Sequence, residues 1–313
     1  MGFSSHDDLV TQITTNGKFL RHDYNKLIVT AQTAGAWHDI SALGGYPFAD
    51  TATPGNNYAG TSLTYVARDD TSTLPSPIWH GGNVSTATKH ILNVMALCGP
   101  AAAGAPWVLM LVDELGYIRI QGASSADVTG TGLRTVTMTA LTGSARYPRG
   151  EGSRVYISTL VAPATGGPNI TTFTYTNSNS TPATGKTMPY TVSMAATPAI
   201  TVLPHTGNAA NRYGPFLPLA AGDTGIADIE SFTFSGGTAY TGTTGVLVMH
   251  HVVPLLTIPV LASGVASERD LVNQLPSMPR VRDGAHLKWL MFATGATTAN
   301  SPFVASLDFG WGG

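Results

Sequence analysis

Two pairs of adjacent residues in this sequence carry side chains suited to acid–base or metal chemistry: Asp113 with Glu114, and His250 with His251. Paired carboxylates can divide the work of general acid and base or hold a calcium ion, and paired imidazoles can share a transition metal. Their spacing argues against both uses. The histidines lie in "VLVMHHVV", which has the composition of a strand, and neighbours on a strand point to opposite faces, so the pair cannot easily bind one metal. One of them is expected to be a satisfied core histidine. Asp113 and Glu114 end an apolar run and open "DELGY", ordinary turn chemistry, and a turn is the favoured reading. Asp69 with Asp70 in "ARDDTST", and Asp223 in "AGDTG", read the same way.

The common catalytic signatures are missing from the chain: no Gly-x-Ser-x-Gly, His-Glu-x-x-His, Gly-x-x-x-x-Gly-Lys-Ser/Thr or Gly-x-Gly-x-x-Gly occurs. "HGGN", His80 to Asn83, could supply oxyanion-hole donors only beside a nucleophile elbow, so it reads as a tight turn. Cys98 is the single cysteine, which excludes an intrachain disulfide and a cysteine-based zinc cluster, and its run "ILNVMALCG" suits a small core residue. No catalytic residue, cofactor site or metal site is assigned.

The elements that must position these residues are strands. From Ala31 onward, β-like runs alternate with turn clusters at roughly ten-residue intervals, the pattern of a sandwich or jelly roll. "WVLMLV", Trp107 to Val112, is apolar on both faces and predicts a central strand covered on both sides. Phe232 and Phe234 share a face, as do Val246, Val248 and Val252 beyond "SGGTAYTGTTG", which predicts a hairpin. "AHLKWLMFAT" and "SPFVASLDFGWGG" are expected to close the fold as an antiparallel pair.

Helical spacing is confined to two places. Leu9, Val10 and Ile13 follow a Ser4 or Ser5 cap, and Asn16-Gly17 stops that helix. Ser267 and Asp270 stand at capping-box spacing and predict one short helix near 267–275, ended by Pro276. The fold class is therefore all-β, a β-sandwich or jelly roll. It is read as an N-terminal helical arm over 1–30, a first sandwich domain over 31–164 and a second over 165–313, divided at "PATGGPN".

Charged residues make up 11% of the chain, against roughly 25% in ordinary soluble domains. A surface so neutral suits a subunit covered by its neighbours, and a homo-oligomer is expected. With a net charge of −2 and no basic block, the cationic footprint of a nucleic-acid binder is missing. No signal-peptide pattern or long apolar run appears, so a soluble protein made in a cytoplasm, with no membrane partner, is expected. The arm is the exception in charge density. Phe19 and Leu20 are its candidate apolar anchors for an interface, and Arg21, Asp23 and Lys26 the charges that would set register. Trp37, Tyr46 and Tyr58, in or beside loops, keep open a carbohydrate-binding module of stacked rings.

Five stretches carry a family resemblance: "DDLVTQITTNGKFLRHDYNKL", "AWHDISALGGYP", "HGGNVSTATKHILNV", "AGDTGIADIESFTFSGGTAYTGTTGVLV" and "LASGVASERDLVNQLPSMPRVRDGAHL". In order, and over nearly the whole chain, they resemble virion structural proteins of tailed bacteriophages. The resemblance implies a non-enzymatic building block of the particle with a sandwich or jelly-roll fold, and it transfers no functional residue. Within a virion assembled in the host bacterial cytoplasm, a capsid decoration or cement protein bound to the major capsid protein is the first expectation. A tail, collar or baseplate component is the alternative.

Overall fold

The N-terminal run folds as its capping residues dictate. Ser5 Oγ accepts a hydrogen bond from the Asp8 N–H at 3.1 Å, Asp7 and Asp8 sit at the positive end of the helix dipole, and α1 spans His6–Thr14. Gly17, at φ +62°, then turns the chain out of the helix. The computed structural model describes residues 2–28, 34–43, 45–46, 58–59, 62–71, 77–99, 106–121, 132–137, 146–161, 169–179, 185–192, 200–202, 214–235, 246–260, 265–295 and 299–312.

Everything larger is strand. In chain order the strands are β1 Phe19–Ile28, β2 Ala36–Asp39, β3 Gly45–Tyr46, β4 Tyr58–Ala59, β5 Ser62–Ala67, β6 Thr88–Cys98, β7 Trp107–Gln121, β8 Gly132–Thr137 and β9 Arg154–Val161. They continue as β10 Asn169–Asn177, β11 Gly185–Val192, β12 Ile226–Ser235, β13 Val246–Val260, β14 Ser267–Asp270, β15 Arg280–Val281, β16 Leu287–Ala293 and β17 Ser301–Gly312. Six form one sheet in the order β14-β6-β17-β1-β3, with β15 also on β6. Eleven form the other, β11-β10-β12-β8-β5-β7-β13-β9, with β16 beside β7, β2 beside β16 and β4 beside β5. Pairing is antiparallel except between β5 and β8.

The main core lies between the two sheets. Tyr24, Ile91, Val94, Phe303, Leu307 and Phe309 from the smaller sheet share a cluster with Trp107, Leu109, Leu111, Ile258, Trp289 and Met291 from the larger. Each of these large side chains contributes on the order of 2 kcal/mol by leaving water. The central strand β7 is apolar on its other face too, where Val112 joins Trp37, Tyr156, Val202, Phe216, Val252 and Leu290. That double covering is what the unbroken run "WVLMLV" predicts.

Several sequence expectations are corrected by this pairing. The arm is helical only over His6–Thr14; β1 follows because His22, Tyr24, Lys26 and Ile28 turn inward while the residues between them turn out. The Phe232 and Val246 runs are both strands but form no hairpin, since β12 pairs with β10 and β8 while β13 pairs with β7 and β9. The closing runs likewise belong to opposite sheets, β16 beside β7 and β17 between β6 and β1.

The helix expected near 267–275 is a strand, Ser267–Asp270, followed by a 3-10 segment at Val272–Ser277. Edge pairing with β6 claims the backbone that a helix would have used, while the Asp270 carboxylate caps Val272 N–H at 2.8 Å. The division at residue 165 does not separate the sheets. β7 runs along β13 and β16, and β1 along β17, so strands from both halves are hydrogen-bonded in each sheet.

Candidate functional site

Part of the larger sheet closes on itself. β2, β16, β7, β13 and β9 are successive neighbours, and residues 200–202 join the two ends. Thr201 bridges to His38 in β2, and Val202 to Ser158 in β9. The Asp39 N–H donates to Ile200 O at 2.8 Å, Val202 N–H to Trp37 O at 2.8 Å, and Thr159 N–H to Thr201 O at 3.0 Å. A ring of five strands and one short bridge is a very small barrel, whose interior side chains alone can fill.

That interior combines the apolar cluster around Val112 and Leu290 with a group of polar side chains. Each of the five strands sends in one chemically active side chain: Asp39 from β2, Lys288 from β16, Glu114 from β7, His250 from β13 and Tyr156 from β9. Lys288 Nζ donates to Asp39 Oδ2 and to Glu114 Oε1, both at 2.9 Å, and lies 3.0 Å from His250 Nδ1. His250 Nδ1 is also 2.5 Å from Glu114 Oε1, and its Nε2 is 2.8 Å from Ser158 Oγ and 3.6 Å from Asp39 Oδ2. Tyr156 stacks on His250 with ring centres 4.5 Å apart, and its hydroxyl donates to Asp39 Oδ2 at 2.8 Å. Asp39 Oδ1 accepts from the Ser41 N–H at 3.1 Å and the Ser41 hydroxyl at 2.5 Å. Closure of the ring explains how Tyr156 and Asp39, on strands far apart in sheet order, can touch.

A bulge sets the position of Glu114. His251 is paired with Gly116 and Val252 with Glu114, which leaves Leu115 as an extra residue in β7. Gly116 leaves room there for Tyr65, since a Cβ at that position would lie 2.3 Å from the end of its ring and would force the ring to move.

All five side chains are buried, none more than 4% exposed. Burial pushes the Asp39 and Glu114 carboxyls upward, but Lys288 and then His250 outweigh it, so Asp39 ends below its ordinary value and Glu114 well below. Burial, reinforced by Lys288, lowers His250. The second oxygen of Glu114 faces His286 Nε2 at 3.7 Å and Arg68 Nε at 3.9 Å. Asp113 points elsewhere: its Oδ1 accepts from the His286 N–H at 2.9 Å and its Oδ2 is 3.6 Å from Arg146 Nε, with burial raising it to about 6.

The two sequence pairs thus diverge as strand geometry requires, but the turn expected at Asp113-Glu114 is a correction: both lie in the middle of β7. His250 and His251 are both satisfied. His251 Nε2 lies 2.9 Å from Ser153 Oγ and its Nδ1 3.3 Å from the Tyr65 hydroxyl, on the side away from Glu114. His80 of "HGGN" is buried 2.8 Å from Lys89 Nζ, and Gly81 and Gly82 after it take positive φ, with a bend at Gly82 in place of the expected tight turn. Trp37, offered as a sugar platform, is buried against Phe292, with ring centres 5.4 Å apart, and the side chains of Tyr46 and Tyr58 lie outside those described.

The five interface candidates split across β1. Phe19, Arg21 and Asp23 are on its outer face, where Arg21 grips Asp308 of β17 through bonds of 2.6 and 2.7 Å. Leu20 packs toward the core, and Lys26 is buried, donating to Ser41 O and Leu43 O. Sequence reasoning passed over Lys288, Asp39 and Tyr156. The available signal was a lysine inside the apolar run "AHLKWLMFA", where a charge demands a buried partner.

The fold and site define the class as an all-β protein, a sheet sandwich whose larger sheet also encloses a sealed ionic cluster. No protein-family model, curated protein or solved structure matches the chain.

Proposed function

We propose that this chain is a structural protein of a bacteriophage virion that works through protein–protein contacts, with capsid decoration as its role and the major capsid protein and its own copies as partners. The observation that carries this reading is the outer face of the smaller sheet. Phe19 and Leu27 of β1 and Met95 of β6 are large apolar side chains left exposed there. Register adds Pro302 opposite Leu27, Val304 opposite Leu97, and Ser306 opposite Met95. These apolar side chains share the face with the Arg21–Asp308 pair and with Asp23, Asn25 and Glu268, a mixture of apolar anchors and polar groups of the kind found in protein interfaces between separately folded partners. The low charge of the whole chain and the segments similar to phage virion proteins support the same reading. The cluster of Asp39, Glu114, Tyr156, His250 and Lys288 is enclosed in the barrel.

The test is to add purified protein to phage heads that lack it and follow mass by light scattering. Saturable addition at lattice stoichiometry is expected, and it should weaken when Met95 and Leu27 are both changed to Asp. A closed ring that ignores heads would transfer the protein to the collar or tail, and failure to associate with any particle component would overturn the reading.

A further inference from the structure

The barrel interior holds, in contact, an amine, a carboxyl group, a base for the one and hydrogen-bond donors for the other. We propose that Lys288 and Asp39 condense into an intramolecular amide, Lys288 Nζ bonding to Asp39 Cγ with release of one water. Lys288 Nζ is 2.9 Å from Asp39 Oδ2, and Cγ is one C–O bond further on, so the reacting atoms are held within about 4 Å, close to a near-attack arrangement.

Each neighbour has a task in that step. Glu114 Oε1, 2.9 Å from Nζ, accepts the proton that masks the lysine lone pair. That proton reaches Oδ2 before the attack, so Nζ meets a neutral carboxyl; as it bonds to Cγ, a single negative charge gathers on Oδ1, which already receives the Ser41 N–H and hydroxyl. The C–Oδ2 bond then breaks, with the Tyr156 hydroxyl donating to Oδ2 and His250 Nε2 standing 3.6 Å away. Because His250 Nδ1 is 2.5 Å from Glu114 Oε1, the imidazole links the base to the leaving oxygen and can pass the proton across. The balance closes: an ammonium and a carboxylate become one amide and one water. Nζ keeps one of its three hydrogens, and the other two depart with Oδ2. One proton passes through Glu114 and His250, which finishes neutral with its hydrogen on the other ring nitrogen, and the second passes directly from Nζ to Oδ2; Glu114 and Tyr156 finish as they began, and no oxidant or co-reactant takes part.

The surroundings favour the product. Trp37, Val112, Val202, Phe216, Val252 and Leu290 form the apolar cluster around Tyr156, with little water to hydrolyse an amide or to stabilise separate ions. Burying a cation and an anion carries a large desolvation cost, and condensation replaces both with a neutral group. The bond would tie β2 to β16 across the strand pair that already joins them at Leu290 and Asp39.

The proposal concerns the isolated chain and stands apart from the virion reading. Intact-mass spectrometry on fully denatured protein should give the sequence mass less one water. Trypsin should fail to cut after Lys288 and release peptides 27–68 and 283–313 as one linked species. Glu114→Gln, which keeps both reacting groups, should restore the full mass and the cut after Lys288. Full mass and normal cleavage in wild-type protein overturn the proposal. So does a loss of water that persists in Lys288→Arg, since the condensation would then lie elsewhere.

Discussion

Acid should loosen this protein through three buried histidines, with a partial offset from two carboxyls that burial raises. His80, His251 and His286 are at most 1% exposed, and burial lowers each from the ordinary value of 6.5 to about 4. In the unfolded chain they take up protons as pH falls through 6.5, while the native state refuses them until about 4. The unfolded state therefore binds more protons in that window, and stability falls with pH. At about pH 5 the native state has gone without that proton over roughly 1.5 pH units, which costs about 2 kcal/mol per histidine and about 6 kcal/mol together. Asp113 acts in the opposite sense. Burial raises it from 3.8 to about 6, so its proton binds first in the native state. At about pH 5 that restores ~1.4 kcal/mol. Asp228, raised to about 6 by burial and by Glu230, adds a smaller share because it is partly exposed. These five groups together give a loss of about 4 kcal/mol between about pH 7.5 and pH 5, to which His22, His90 and His250, also lowered by burial, add in the same direction and Asp70, raised by burial, in the opposite one. Urea unfolding followed by tryptophan fluorescence over that range measures it. His251→Gln, which can still meet Ser153 Oγ, should flatten the dependence by about 2 kcal/mol. Stability that is constant or rises over the range would refute the reasoning.

Three further outcomes are expected. Gly116→Ala places a Cβ 2.3 Å from the Tyr65 ring, and displacing that ring should lower stability by about 1–3 kcal/mol in chemical denaturation. Cys98 is 1% exposed with its thiol pushed far up by burial, so a thiol reagent should label it only at the rate of global opening, in step with hydrogen exchange in the core. Arg21→Ala removes a bidentate pair whose arginine side chain is 56% exposed, and should cost under about 1 kcal/mol of folding stability while weakening particle association more clearly.

Local pattern was legible in the sequence, and long-range pairing was not. The apolar run Trp107 to Val112 and the capping of α1 rest on residues close in sequence, and each element forms as its spacing implies, whereas the alternation around Tyr24 that makes β1 was passed over in reading 1–30 as a helical arm. Choice of partner rests on distant contacts. The Phe232 and Val246 runs look like a hairpin from their intervening glycines, yet β8, β5 and β7 lie between them in the sheet. Ser267 to Asp270 fits a capping box just as well as an edge strand, and β6 decides. The ionic cluster was hidden for the same reason. Asp113 and Glu114 resemble a turn until β16 and β13 bring Lys288, His286 and His250 alongside. A charge in an apolar strand was the one local clue, and only closure of the barrel gives it meaning.

The pairing of β1 with β17 also constrains how the chain reaches its native state. Arg21 and Asp308, bonded across those strands, are 287 positions apart. On the ribosome, β1 emerges early and must wait for β17, its partner over ten residue pairs, with its hydrogen-bonding edge open. Such distant pairing carries a large loop-closure entropy and makes folding slow. The nascent chain is most exposed to misassociation during that interval, and the same edge-pairing chemistry that completes the sheet would then favour chaperone capture or wrong partners. Temperature of expression should therefore affect yield more strongly than the stability of the finished protein would suggest.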